Sequence, residues 1–400
     1  MGTVGMTNRA FITGAVLQWA RERARIKRDE VARRLNEPEE SVVQWERGKD
    51  RPTLHQAEKL ADLLRIPFGY LFLTAPPVEK LPLPDFRTVR GAEPIPSADL
   101  IDVVNDVLVK QEWYRGFLLE EGARKLPFVG RFSTRDPITT VAADIRETLR
   151  INTAMRQECS TPTDFLRTIV KSAEASGIVV MRCGIVSGNP RRALSVKDFR
   201  GFAISDPIAP IVFINARDWP AAKVFTVAHE LVHIWIAESG ISNISLKEPV
   251  SVGSHAIERF CNQTAAEILI PESELRETWA EDRSLESNID TIAHAFKVSV
   301  LVVILRTFEA NLITRRQYQE YYDREAEKYE STIRAKKKPG GHFERNVIAR
   351  NSETITSAAI FSAVEGRVLY RDAARLLNIG IPQVQKLAKY MARSKEGTGG

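Results

Sequence analysis

The segment Val224–Trp235, VFTVAHELVHIW, constrains this chain more than any other stretch. Only Thr226, His229, Glu230 and His233 interrupt an otherwise apolar run. The run is far short of the ~20 residues that span a bilayer, so it predicts a helix buried within a protein core. Unpaired polar groups are costly in such a place, and the three ionisable side chains need a task that compensates them. Two histidines four residues apart stand one turn apart on nearly one face of a helix, about 6 Å along its axis. Both imidazoles can then reach one zinc ion (Zn2+) at ~2.0–2.1 Å. Glu230 falls beside the metal-bound water, where it can take that water's proton.

A zinc site that does chemistry needs a third protein donor and a corner left for water. Ile236 and Ser239 stand where a HExxHxxGxxH pattern requires Gly and His, so the third donor must come from another element. The downstream run Ala256–Pro271 supplies two carboxylates, Glu258 and Glu267. Asn262 is one turn beyond Glu258 on the same face and could fix a ligand's orientation from behind. Glu258 is the favoured donor, and Glu267, near the helix end and close to Pro271, is the rival. Cys261 is expected to face away from a metal held by Glu258 and to belong to the core. His255, three residues before Glu258, is the candidate second electrophile for a developing oxyanion. Upstream, Gly177–Arg182 and Pro210–Asn215 read as strands. The second lies just ahead of the HExxH helix, and an exposed edge there could hold an extended peptide by backbone pairing.

Residues 9–75 are helical in pattern, with helices expected at Val16–Arg25, Arg28–Leu35, Glu40–Arg47 and Leu54–Leu64. Gly48 is the expected left-handed cap of the third. A tight turn at Asn36-Glu37-Pro38 between two short helices is the helix-turn-helix plan. The run Val42–Pro52, VVQWERGKDRP, resembles the XRE/Cro-repressor family. That resemblance implies a core position for Trp45 and a recognition helix ended by Trp-Glu-Arg-Gly. It puts the base-facing positions at about Pro38, Glu39, Ser41 and Gln44. Arg28, Arg33, Arg34, Arg47, Lys49 and Arg51 could form a rim that contacts phosphates. The charge balance is thin, however: residues 1–75 hold 13 Lys/Arg against 10 Asp/Glu. Phosphate neutralisation supplies most of the affinity for double-stranded DNA, so such a domain would bind an operator weakly as a monomer. Protein contact or assembly into a homodimer is the alternative use.

Composition sets the outer bounds. With 44% hydrophobic and 27% charged residues, 400 residues make two or three domains with full cores, not a disordered, collagenous or disulfide-built chain. Three cysteines without a CxxC pair point to a reduced, cytoplasmic setting. The short apolar stretch Phe11–Ala20 runs straight into arginines with no cleavage site, so neither a signal peptide nor a membrane segment is expected. The net charge of +6 allows a nucleic-acid partner without requiring one. Prolines at 76, 77, 82, 84, 94 and 96 mark a linker over 76–97. Residues 98–335 mix helices with short strands. Lys336–Gly341, KKKPGG, reads as a hinge before a helical accessory segment at 342–392. Three helices are expected there, Asn346–Glu365, Arg371–Leu377 and Pro382–Tyr390, serving oligomerisation or a second DNA contact. The expected fold class is α+β: an all-α helix-turn-helix bundle, a zincin-like, mainly helical domain with a small β-sheet, and a C-terminal helical segment.

Four runs together carry a second resemblance: Pro84–Thr88 (PDFRT), the Phe225–His233 helix, the Glu258–Pro271 helix and Ala295–Ser299 (AFKVS). They are similar to the ImmA/IrrE metallopeptidase family, over about residues 15–310 once the XRE module is included. The resemblance implies zinc bound by His229, His233 and Glu258, with Glu230 as general base. The family's usual Glu-Ala-Asn is Phe260-Cys261-Asn262 here. It further implies a site-selective endopeptidase that cleaves a repressor protein, often of the XRE class, and so relieves transcription in a stress, prophage or toxin-antitoxin response. The rival expectation is a DNA-binding repressor or antitoxin whose zinc domain senses metal or docks a partner without proteolysis.

Overall fold

The computed structural model describes residues 8–79, 81–85, 96–242, 256–335 and 342–396. The chain divides into two compact units, one of residues 1–82 with 95–102, the other of residues 83–94 with 103–400.

The first unit is α-helical. Its helices are α1 (Gly14–Arg23), α2 (Arg28–Leu35), α3 (Glu39–Glu46) and α4 (Leu54–Leu64), followed by a 3-10 turn at Phe68–Phe72. Asn36 ends α2 in a left-handed conformation, and Gly48 at φ +67° turns the chain just past α3. Thr53 and Gln56 form a reciprocal capping box at the start of α4, satisfying two of the backbone donors that every helix start leaves orphaned. Trp45, only 2% exposed, packs with Leu17, Val31, Val42, Leu60 and Leu64 in the unit's core. Glu46 is buried as well, its carboxylate held by Arg21 Nε at 2.5 Å and Arg28 Nε at 2.8 Å. A buried charge is tolerated only when paired, so the Glu of Trp-Glu-Arg-Gly is a brace between α1, α2 and α3.

The second unit contains α5 (Ala98–Glu120, which begins in the first unit), α6 (Ile138–Thr148), α7 (Thr153–Gln157) and α8 (Pro162–Ala175). Strands β1 (Val179–Cys183), β2 (Ile185–Val186), β3 (Asn189–Ala193), β4 (Gly201–Ile204) and β5 (Ile211–Asn215) come next. Then follow α9 (Pro220–Trp235), β6 (Gly240–Ser242), α10 (Ala256–Leu269), α11 (Glu272–Thr278), α12 (Leu285–Phe296), α13 (Val300–Glu309) and α14 (Arg315–Ala335). The last helices are α15 (Phe343–Asn351), α16 (Glu353–Val364), α17 (Tyr370–Leu376) and α18 (Ile381–Glu396). The layout is α+β, mainly helical with a small mixed sheet.

That sheet runs β1-β5-β4-β6, with β1 parallel to β5 and the other pairs antiparallel. All five residues of β5 are buried, as a strand covered on both faces requires. It lies between β1 and β4, so the expectation of a free peptide-holding edge at Pro210–Asn215 is corrected. Its uninterrupted apolar run is the mark of an interior strand, whereas edge strands alternate or carry charge. The end strands are β1 and β6, and at β6 Ile241 N donates to Pro84 O at 2.9 Å. Asp85 pairs with Ile241 in a parallel bridge, so the chain's own residues occupy that edge.

Helix α9 packs against β4, β5, α6, α8 and α10. Every residue from Val224 to Trp235 is buried. Trp235 stacks on Phe128 at 4.5 Å, and its indole donates to Asp144 Oδ1 at 2.7 Å. The C-terminal segment departs from expectation, because Asn346–Glu365 is not one helix. Ser352, at φ +67°, breaks it, and its hydroxyl caps α16 by accepting from Ile355 N at 3.0 Å. Asn351 is buried at the break and donates to Leu377 O at 3.1 Å, so α17 holds the corner in place. These helices belong to the second unit, with α15 packed on β1. The basic hinge at 336–341 lies outside the described residues. Among the described residues no single helix is long and apolar enough to cross a membrane.

Candidate metal centre

The helical repeat brings His229 and His233 to one face of α9, and their Nε2 atoms stand 3.2 Å apart. The α10 helix crosses that face and delivers Glu258, whose carboxylate oxygens lie 3.5 Å from His229 Nε2 and 3.3 Å from His233 Nε2. A tetrahedral cation with bonds of ~2.0–2.1 Å holds its donors roughly 3.3 Å apart, so this triangle has the size such an ion requires. Each imidazole is oriented from behind. His229 Nδ1 lies 2.9 Å from Asn262 Oδ1, and His233 Nδ1 lies 3.1 Å from the Glu238 carbonyl. An acceptor on Nδ1 keeps that nitrogen protonated and leaves Nε2 with its lone pair facing the centre.

The two carboxylates have opposite electrostatics. Burial by itself would raise the Glu258 carboxyl, but the imidazoles of His229 and His233 outweigh it and hold the group well below the usual carboxylate range. Burial pushes the Glu230 carboxyl well above that range, and the neighbouring Glu258 charge adds to the effect. Burial also lowers His233. Both oxygens of Glu230 are buried without a well-formed hydrogen bond among the described residues, and the nearby Ser242 hydroxyl only partly offsets the burial. A fully buried carboxyl left this way is what a group awaiting a ligand looks like. Gly201 on β4 makes room for it: a Cβ there would lie 2.8 Å from Glu230 Oε1 and 2.9 Å from Phe213 O.

The remaining expected site residues fall as follows. Glu267 is away from the imidazoles, in an ion pair with Arg306, so Glu258 is the carboxylate that approaches them. His255 lies outside the described residues. Cys261 is buried, as expected, but it does not lie clear of the histidines: its Sγ and one ring nitrogen of each all lie within 4.8 Å of one another, in a set that includes no Glu258 oxygen. The reason is helical geometry, since residues 258, 261 and 262 share one face at three- and four-residue spacing. Ser242 was missed altogether. Its buried hydroxyl lies 3.4 Å from His233 Nε2 and donates to Glu258 Oε1 at 3.3 Å. No local pattern marks it, because it arrives from β6 through the sheet.

In the helix-turn-helix unit, Glu39, Arg47 and Lys49 are exposed, while Ser41 and Gln44 are half-buried. The Gln44 side chain is engaged by Glu40, and Ser41 Oγ donates to Glu37 at 3.5 Å. Arg28 is committed to Glu46, whose carboxylate raises the guanidinium's proton affinity.

The folds and the centre thus define a helix-turn-helix unit joined to a unit of metallopeptidase-like build. Comparison with known families agrees. Residues 173–308 match the Peptidase_M78 family, the IrrE N-terminal-like domain, and residues 17–71 match a helix-turn-helix family. The chain is therefore a regulator-type protein with a helix-turn-helix domain and a peptidase-like domain. No curated protein matches it.

Proposed function

We propose that the chain is a zinc-dependent endopeptidase coupled to transcriptional control, with a repressor protein of the XRE class as its substrate. The observation that carries this reading is the convergence of His229, His233 and Glu258 beside the buried Glu230 carboxyl. Two imidazoles and a carboxylate are the donor set of many hydrolytic zinc sites. Bound there, zinc would supply carbonyl polarisation and an acidified water. His229, His233 and Glu258 would hold it, with Asn262 and the Glu238 carbonyl fixing the two rings. Glu230 takes the proton of the attacking water and passes it to the leaving amine. Site-selective cleavage of a regulator fits a chain whose other domain is a helix-turn-helix.

The test is metal analysis of the purified full chain, followed by incubation with candidate XRE-type repressors. About one zinc per chain and a single discrete cleavage are expected. A chain without bound metal, or one that leaves every repressor intact when metal-loaded, would sink the reading.

For the N-terminal unit we propose operator binding through Glu39, Ser41, Gln44, Arg47 and Lys49, with Arg28 bracing the fold behind them. Few cations line this surface, so affinity should be low and its salt dependence shallow. With about three phosphates neutralised, the slope of log K against log salt would be about −3. Gel shifts across a salt series measure it. Binding that does not change with salt would argue for protein docking instead.

A further inference from the structure

Cys261 has no task in a metallopeptidase mechanism run by His229, Glu230, His233 and Glu258. The thiol is fully buried, and its Sγ and one ring nitrogen of each site histidine cluster within 4.8 Å. The other two cysteines use their thiols as donors, Cys159 to Met155 O at 3.2 Å and Cys183 to Ile185 O at 3.0 Å. Cys261 makes no such bond among the described residues. The Glu230 carboxyl, whose charge acts on Cys261, is also fully buried and lacks a well-formed hydrogen bond among the described residues, a second sign that this pocket is built around a missing ligand. Glu258 and Cys261 are three residues apart on α10. In carboxylate-metal helices a Glu and a second donor at this spacing project inward together. Imidazole, carboxylate and thiolate are all donors that zinc accepts.

We propose that Cys261 is a fourth protein donor of this centre, so that His229, His233, Glu258 and Cys261 close the resting metal site. The proposal rests on the metallopeptidase reading and adds a regulation to it. The sulfur holds the corner that water needs until a docking substrate displaces it, so the loaded chain is latent only while no repressor is bound. On metal loading the Cys261 thiol releases its proton to solvent and forms one metal–sulfur bond. On opening, that bond breaks, the sulfur takes a proton back from solvent, and one water occupies the corner. No electrons are exchanged.

Cobalt(II) added to the full metal-free chain tests this without any substrate. Thiolate ligation gives a sulfur-to-cobalt charge-transfer band in the near ultraviolet, and tetrahedral coordination gives intense visible bands. Both are expected to saturate at one equivalent of cobalt. Cys261→Ala should lose the near-ultraviolet band, keep one bound cobalt and keep visible absorption, while Cys159→Ala and Cys183→Ala retain both features. Wild-type chain that binds one cobalt without the near-ultraviolet band overturns the thiolate donor and leaves the peptidase reading standing. So does a band that persists in Cys261→Ala. A wild-type chain that binds no cobalt overturns both. The wild-type spectrum decides even if the alanine variant does not fold.

Discussion

Glu230→Gln is expected to keep the metal and lose the chemistry. The amide is nearly isosteric with the carboxyl, so the space that Gly201 leaves beside Oε1 still accommodates it. It touches neither imidazole's orienting partner, since Asn262 and the Glu238 carbonyl serve those rings. What it cannot do is accept a proton from water. A positioned general base contributes typically 10²–10⁴-fold, so cleavage should fall by about that factor at unchanged zinc content. Peptide hydrolysis followed together with metal analysis on the same sample measures both. Full activity in Glu230→Gln would remove Glu230 from the mechanism.

His233→Ala should act at the other level, on occupancy. It deletes one of the three converging donors and leaves Ser242 and Glu258 facing a cavity. Removing a group that only orients a ligand already costs about 10–100-fold in metal affinity, so removing a donor should cost at least ~100-fold. Hydrolysis should disappear with the metal. Ligand binding stabilises the native state by about 2.7 kcal/mol when the free ligand stands at 100 times its dissociation constant. Chelation should therefore lower the melting temperature of the wild-type chain and leave that of His233→Ala unmoved. Circular dichroism separates this from loss of the fold. Equal zinc in the two chains would show that the metal sits elsewhere.

The contrast between these variants reflects how differently the site residues are encoded. His229, Glu230 and His233 share one helical turn, so their mutual placement follows from 3.6 residues per turn alone. The buried helix that carries them was legible for the same reason, as were Arg28–Leu35 and Leu54–Leu64, whose caps and apolar faces are local. Pattern favoured Glu258 over Glu267 without deciding between them. Both are carboxylates on one helix, and the choice depends on which of them meets α9 and which meets Arg306. The closeness of Cys261 to the histidines was not legible, because it depends on where α10 crosses α9, not on α10 alone. The break at Ser352 was invisible for a related reason: Asn351 is pinned there by Leu377, a contact 26 residues away in the chain.

The chemical kind of the proposed centre follows from the order of amino acids. Two imidazoles and a carboxyl one turn apart in an apolar helix have few other uses, because burial penalises them unless something binds them. Which further groups join them was decided only by packing. Ser242 comes from a strand edge, Gly201 from the neighbouring strand and Cys261 from a crossing helix, and no periodicity relates these three to the histidines. Spacing within one element is set by covalent geometry, whereas proximity between elements exists only once the core has formed.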